Sequence, residues 1–387
     1  MKTGTCLALL LLLPSVLQAG MQVDSLYATA QAETSDSLRV SKLCDLSRDL
    51  YSQNPRRGLK IGLEVKEISR SLGDSLGLMR SHYCLGLNHW SLGEYGPALE
   101  SYEESLVLAR LLKEAKMEMM LENNLGVTFN ARGDYLSALR YFHDSLRHQD
   151  SAGVEWMKPH TLLNIGNIHE YLGNHEEAIL QFEQCADLLG DTNDLFLASI
   201  YNNLGVSYEQ SGDFARAKDY QNRSREIRER EGDEYAISSN LINLATILNQ
   251  QGRHAEAIHL LEDALQRVQD FGDESTIVDI KIIWASSLCA LSRHEEALLR
   301  LEESLRIAEK TGRGEELAKI HRALCSCLVE LDDLEAAYDH LVRSSELQDS
   351  LRSQDRIGEM SIAEERYERE RESSQRELDR LRRQQEI

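Results

Sequence analysis

The stretch from Leu121 to Leu146 reads LENNLGVTFNARGDYLSALRYFHDSL, and its spacing decides the architecture. Leu121, Leu125 and Phe129 recur every fourth residue, which puts them on one face of a helix. Gly133-Asp134 then interrupts the pattern. Glycine accepts the positive φ that ends a helix, and aspartate opens the next one. Ala138, Phe142 and Leu146 resume the four-residue step on a second helix. Two short helices joined by a tight turn cannot bury their apolar faces alone, so this hairpin needs neighbours.

The neighbours are copies of itself. Leu85-Gly86, Leu125-Gly126, Ile165-Gly166, Leu204-Gly205, Leu244-Ala245, Trp284-Ala285 and Leu324-Cys325 are each followed by a turn. Ala98, Ala138, Ala178, Ala217, Ala257, Ala297 and Ala337 come next in the same register. The steps between the small residues are 40, 40, 39, 40, 40 and 40. A weaker unit precedes them, with Ser47, the turn Asn54-Pro55 and Gly58. Gly73-Asp74, Gly232-Asp233, Gly272-Asp273 and Gly312 punctuate the ends of units. With 4 Pro, 6% aromatics and 28% charged residues, the composition favours helices and argues against a β-sandwich or barrel.

Leu125, Gly126, Phe129, Tyr135, Ala138 and Phe142 stand in the order of the tetratricopeptide repeat (TPR) pattern, which the chain resembles over roughly residues 36–350. The resemblance implies an all-α, right-handed α-solenoid of about eight helix-turn-helix repeats, its first helices lining a concave groove where extended peptides dock. Two departures stand out. The period of 40 is similar to the long-helix variant of kinesin light chains rather than to the usual 34, and the terminal Pro is replaced by Gly-Asp. Gln221 also stands where an aromatic is expected, beside Tyr220, which predicts different packing there.

Residues 1–19 have the layout of a secretory signal peptide: Lys2, the apolar run Cys6–Leu13, Pro14, and small residues at Ala19-Gly20. The run is short for a bilayer span, which leaves an uncleaved anchor as the weaker alternative to a cleaved signal. The expectation is an exported chain, periplasmic or secreted, with no membrane span once processed. Six cysteines remain, Cys44, Cys84, Cys185, Cys289, Cys325 and Cys327, at spacings that suit small buried residues better than a zinc site. Lys and Arg total 43 against 65 Asp and Glu, a net charge of −22, which argues against a nucleic-acid partner.

Residues 20–35 read as a leader or capping segment, 36–350 as the solenoid, and 351–387 as a charged helix. In the last segment Met360, Tyr367 and Leu381 keep a seven-residue step that Glu364, Arg371 and Ser374 interrupt. Two readings stand: a coiled coil joining two copies as a homodimer, or a single solvated helix laced by Glu–Arg pairs. Signal peptide, Val23-Asp24-Ser25-Leu26 leader, degenerate first repeat and charged final helix together resemble the extracytoplasmic TPR sensor region of membrane histidine kinases and regulators of Bacteroidetes-like bacteria. That resemblance implies, as an alternative, a sensor region lacking its output domain.

The candidate ligand-binding residues form a row. Asn124, Asn164, Asn203 and Asn243 each precede the small residue by two positions, so stacking would align them. Asn123, Asn130, Asn167, Asn202 and Asn249 lie close to the row, with Glu170 and Glu209 further along. An amide both donates and accepts, so it can hold a peptide backbone; equally, the amides can bond neighbouring repeats and order the solenoid. Asn disfavours helix interiors, so its recurrence at one position calls for one of these roles. Glu170, Glu209 and Asp279 would favour basic or neutral segments. A carboxylate-clamping groove is not expected, because Asn123, Val127, Leu163 and Asn202 supply no cation.

No enzymatic activity, cofactor or metal is expected. His175-Glu176-Glu177 and His294-Glu295-Glu296 start like a zinc-protease motif, but Ile179 and Leu298 stand where the second histidine belongs. Both histidines occupy the aromatic turn position of their repeats. No Gly-rich phosphate loop or nucleophile elbow appears. The expected partner is a protein or extended peptide.

Overall fold

The structure is a computed structural model that describes residues 23–190, 194–269, 271–353, 358 and 361–363. The expected signal peptide and most of the heptad seam, including Met360, Tyr367 and Leu381, lie outside the described residues. Every regular element among the described residues is helical. After a short helix α1 (23–31) come α2 (Asp36–Asp49), α3 (Pro55–Leu72), α4 (Ser75–Ser91), α5 (Tyr95–Leu112), α6 (Ala115–Ala131) and α7 (Tyr135–Ala152). They are followed by α8 (Lys158–Tyr171), α9 (His175–Leu189), α10 (Leu195–Gln210), α11 (Phe214–Glu231) and α12 (Glu234–Gln250). The chain continues as α13 (His254–Gln269), α14 (Glu274–Ala290), α15 (His294–Thr311), α16 (Gly314–Glu330) and α17 (334–353). Pairing α2 with α3, and so on to α16 with α17, gives the expected series of hairpins: the chain is an all-α solenoid. The degenerate first unit is a full hairpin, α2–α3.

The chain divides into two compact units at Thr161/Leu162. In the first, α2 packs on α3 and α4, α4 on α5, and α6 on α5 and α7. In the second, α10 packs on α11 and α12, α12 on α13 and α14, and α14 on α15 and α16. In the second unit α10, α12 and α14 thus each touch their own partner, the preceding second helix and the next first helix. The turns follow the punctuation. Gly73, Gly133 and Gly232 have φ of 66°, 79° and 71°, while Asp74, Asp134 and Asp233 accept from the backbone N–H of Gly77, Ser137 and Ala236.

The small residues mark where paired helices approach most closely. A Cβ added to Gly86 would lie 2.4 Å from the Tyr102 ring, one at Gly126 2.6 Å from Phe142, and one at Gly166 2.4 Å from Phe182. Each partner lies sixteen residues on. Where the first helix carries Ala245 or Ala285 instead, the residue sixteen later is Leu261 or Leu301, all fully buried. A larger notch takes an aromatic and a smaller one takes a leucine. Gln221 fills the notch left by Gly205: fully buried, it donates to the Asn202 carbonyl at 3.0 Å and accepts from Asn240 at 2.7 Å. Tyr220 turns outward and stacks on Tyr208 at 5.6 Å. The expected difference in packing is thus a polar plug in place of a ring.

A second register, unrecognised in the sequence, falls seven residues after each conserved-spacing alanine. Ser105, Ser145, Cys185, Ser224, Ala264, Ser304 and Ser344 are all buried. Ser105, Ser145, Ser224 and Ser344 donate to carbonyls of the first helix, those of Met79, Met119, Ala198 and Ala318, at 2.7–2.9 Å. Each bond pins a second helix to the start of its partner.

Gly126→Ala should destabilise the first unit by about 2–3 kcal/mol, because the new methyl overlaps the Phe142 ring. Adding Phe142→Leu should recover much of that loss by recreating the Ala–Leu pairing; thermal denaturation of both variants checks it. Acidification offers another test. His82 is buried, its Nδ1 has no hydrogen-bond partner, and burial together with Lys66 and Arg70 lowers its pKa to about 4. The unfolded chain therefore binds a proton between pH 6.5 and 4 that the folded chain refuses. Stability present above pH 6.5 should fall by about 1–2 kcal/mol on going to pH 5, and His82→Gln should flatten that slope in denaturant titrations.

Candidate peptide-binding face

First helices carry every residue of the amide row. In the first unit, α6 presents Asn123, Asn124 and Asn130, all half-buried. Asn123 accepts from Thr161 at 3.2 Å, and Asn124 hydrogen-bonds the hydroxyl of Tyr83 on α4. The Tyr83 hydroxyl is nonetheless raised above its ordinary pKa, chiefly by burial.

In the second unit the row becomes a ladder. Asn203 on α10 donates to Asn167 on α8 at 2.9 Å. Asn243 and Asn240 on α12 both donate to the Asn202 side-chain oxygen, at 3.1 and 3.3 Å. Gln250 on α12 bonds Glu209 on α10. Consecutive first helices are therefore tied amide to amide, the ordering role that the sequence leaves open beside docking. Asn164 is half-buried on α8, and Asn167 is exposed.

The ends of these helices hold a recurring triplet. Glu170 contacts His175 at 3.2 Å, across its own hairpin turn, and accepts from Ser207 on the next first helix. Asn249 repeats the arrangement, contacting His254 at 3.1 Å and accepting from Ser287 at 2.9 Å. His175 is thus an inter-helix strut, as its turn position implies. Asp279 lies exposed on α14, its carboxyl pKa raised by partial desolvation and by the nearby Glu316.

Two features escaped the sequence reading. In the first unit, α2, α4 and the start of α6 enclose a cavity of about 300 Å³ lined by Asp45, Arg48, Arg80, Tyr83, Met117 and Met120, among others. Arg48 and Arg80 both pair with Asp45, at 3.1 and 3.4 Å. These arginines lie outside the inner positions Asn123, Val127, Leu163 and Asn202, on α2 and α4, and each is paired with Asp45. The second feature is Glu118, Glu122 and His148, whose ligand atoms lie within 4.8 Å of one another. Glu122 is fully buried, and its raised pKa reflects that burial, offset by His148 at 2.7 Å and Arg110 at 3.1 Å. The Arg110 guanidinium bonds both glutamates, so the cluster already holds a protein cation.

Residues 117–191 and 196–270 match the tetratricopeptide repeat family. These segments are TPR repeats. Residues 279–332 also match a family described as anaphase-promoting complex subunit 5. Among curated proteins, a Tonsoku-like protein from Bos taurus is 27% identical over 192 residues, which is 49% of this chain and 13% of that one. Its Mus musculus counterpart is 28% identical over 193 residues, again 13% of its length. The aligned stretch is thus a small part of these relatives. Among solved structures, the apo quorum sensor NprR from B. thuringiensis aligns with a TM-score of 0.66 at 15% identity, covering 86% of this chain and 94% of that one. A tetratricopeptide repeat protein from Parabacteroides merdae aligns at 0.54 with 14% identity, covering 70% and 93%. At such identities the likeness is one of fold. No helix among the described residues is long and apolar enough to cross a membrane.

Asn202→Ala should cost about 1–2 kcal/mol, because it leaves Asn240, itself fully buried, and Asn243 without their shared acceptor. Asn164→Ala should cost well under 1 kcal/mol. Urea denaturation of the two variants side by side measures the difference.

Proposed function

We propose that the chain is a non-catalytic scaffold that binds a protein or extended peptide along its first-helix face, the concave groove of a TPR superhelix. The observation that carries this reading is the line of half-buried amides on successive first helices. Asn202, Asn203 and Asn243 spend part of their hydrogen-bonding capacity on the ladder and keep an edge at the surface, and amide edges suit a peptide backbone better than any particular side chain. Glu170, Glu209 and Asp279 add a preference for neutral or basic segments in the second unit. Around Arg48 and Arg80 the first unit favours an acidic group.

We place this scaffold outside the cytoplasm, in a bacterial envelope, on the strength of the apolar run Cys6–Leu13 and the small residues at Ala19-Gly20. Mass spectrometry of the protein from its native source tests that, and an intact Met1 in a cytosolic fraction refutes it. A sensor role within a transmembrane signalling protein is the second reading. It is supported by the likeness to NprR, described as a quorum sensor, and to a Pyrococcus horikoshii protein described as having a tetratricopeptide repeat sensor, with a TM-score of 0.61 at 12% identity.

Affinity capture from envelope extract should recover partners with the unaltered chain and lose most of them with Asn124, Asn164, Asn203 and Asn243 all changed to Ala. Circular dichroism of the variant guards against unfolding. Equal recovery by a folded variant removes the groove proposal.

A further inference from the structure

The triplet of Glu170 and Asn249 occurs a third time, with sulfur in two of its three places. Cys289, in the last turn of α14, occupies the position of Glu170 and Asn249. His294 lies five residues later, as His175 and His254 do. Cys327 on α16 stands where Ser207 and Ser287 stand, 38 residues after Cys289 as Ser287 is after Asn249. The packing follows the register: α14 packs on α16, Cys289 and Cys327 belong to one apolar cluster, and Cys327 and His294 are the groups that act most strongly on the Cys289 thiol. The His294 Nδ1 is buried and makes no hydrogen bond, unlike the corresponding atoms of His175 and His254. Cys289 is partly exposed, whereas Cys327 is 1% exposed.

We infer that Cys289 and Cys327 form a peroxide-reactive dithiol, with Cys289 the attacking thiolate, Cys327 the resolving thiol and His294 the positioning residue. The division of roles comes from the surroundings. The Cys327 thiol acting on Cys289 stabilises charge there and disfavours it on Cys327. Together with His294 this outweighs burial and holds the Cys289 thiol down at about 6, while Cys327 is raised. Cys289 is also the sulfur that solvent reaches.

The chemistry balances with hydrogen peroxide as the two-electron oxidant. The Cys289 thiolate attacks one peroxide oxygen, the O–O bond breaks, and hydroxide leaves; Cys289 becomes a sulfenic acid. The Cys327 sulfur then attacks the Cys289 sulfur. The S–S bond forms, the S–O bond breaks, and the thiol proton leaves with that oxygen as water. The resulting bond staples α14 to α16, first helix to first helix, where Asn249 and Ser287 use a hydrogen bond.

Cys44 and Cys84 provide an internal contrast. They too lie one repeat apart, but both are buried. Cys84 donates to the Cys44 carbonyl at 3.3 Å, and its thiol is held well above the ordinary value by Cys44 and burial. That pair should stay inert.

The test uses the purified full chain, reduced and then treated with hydrogen peroxide. Peptide mass spectrometry should find a Cys289–Cys327 disulfide, with Cys44 and Cys84 still alkylatable. In Cys327→Ser the sulfenic acid should persist and take up dimedone at Cys289. On the unaltered chain at pH 7, Cys289 should alkylate with iodoacetamide at least tenfold faster than Cys84, and the pH midpoint of its reaction should rise by roughly one unit in His294→Asn. Absence of the cross-link, equal oxidation of all the cysteines, or a Cys289 midpoint at an ordinary thiol value overturns the proposal. The alkylation profile of the unaltered chain decides even if a variant fails to fold.

Discussion

The closest approach between the two helices of each hairpin is the constraint from which the rest of the structure follows. At Gly86, Gly126 and Gly166 the backbone of the first helix lies against an aromatic ring of the second, leaving no room for a methyl group. That approach sets the crossing within the hairpin, and the crossing sets which faces remain apolar for the next repeat. The buried Ser105, Ser145, Ser224 and Ser344 hold the other end of the same contact in four of the hairpins. They replace water on first-helix carbonyls and so define the sliding register of the pair. A chain of such hairpins has its core in continuous strips, as in the run from Ile237 to Ala337, rather than in one central mass.

Because the approach recurs with a period of 40, the outer positions of the first helices recur too, and side chains at one register become neighbours along a line. That line is where the protein varies its chemistry. Asn202, Asn203 and Asn243 use it for amide bonds, Glu170 and Asn249 for struts to histidine and serine, and Cys289 and Cys327 for sulfur. A solenoid can exchange these residues singly because each touches only adjacent repeats. The energetic cost of a change stays local, and the ligand face can be altered while the notch beneath it is kept.

Much of the architecture was legible from spacing alone. The Leu-Gly pairs, the Gly-Asp turns and the alanines named the helices, their partners and their order, and even the unit around Asn54-Pro55 proved to be a complete hairpin. The Gln221 exception was visible as a mismatch, although not its resolution: a buried amide satisfied by Asn202 and Asn240. The candidate face was only half legible. The amide row could be placed on first helices, but spacing does not distinguish an Asn that bonds its neighbour from one that faces a ligand. The arginines of the first-unit cavity were missed because Arg48 and Arg80 stand outside the registers that were read for cations.

What the linear chain determined by itself is periodic: helix boundaries, hairpin pairing and which residues share a register, all consequences of 3.6 residues per turn and of glycine's freedom at positive φ. What only the tertiary structure decided is pairwise. That Asn243 reaches Asn202, that Arg110 bridges Glu118 and Glu122, and that Cys327 meets Cys289 beside an imidazole depend on the rise and rotation from one repeat to the next. A shift of a few ångströms in that step would leave the repeat pattern intact while separating every one of those pairs, because hydrogen bonds and thiol contacts act over a shorter range than the packing that sets the period.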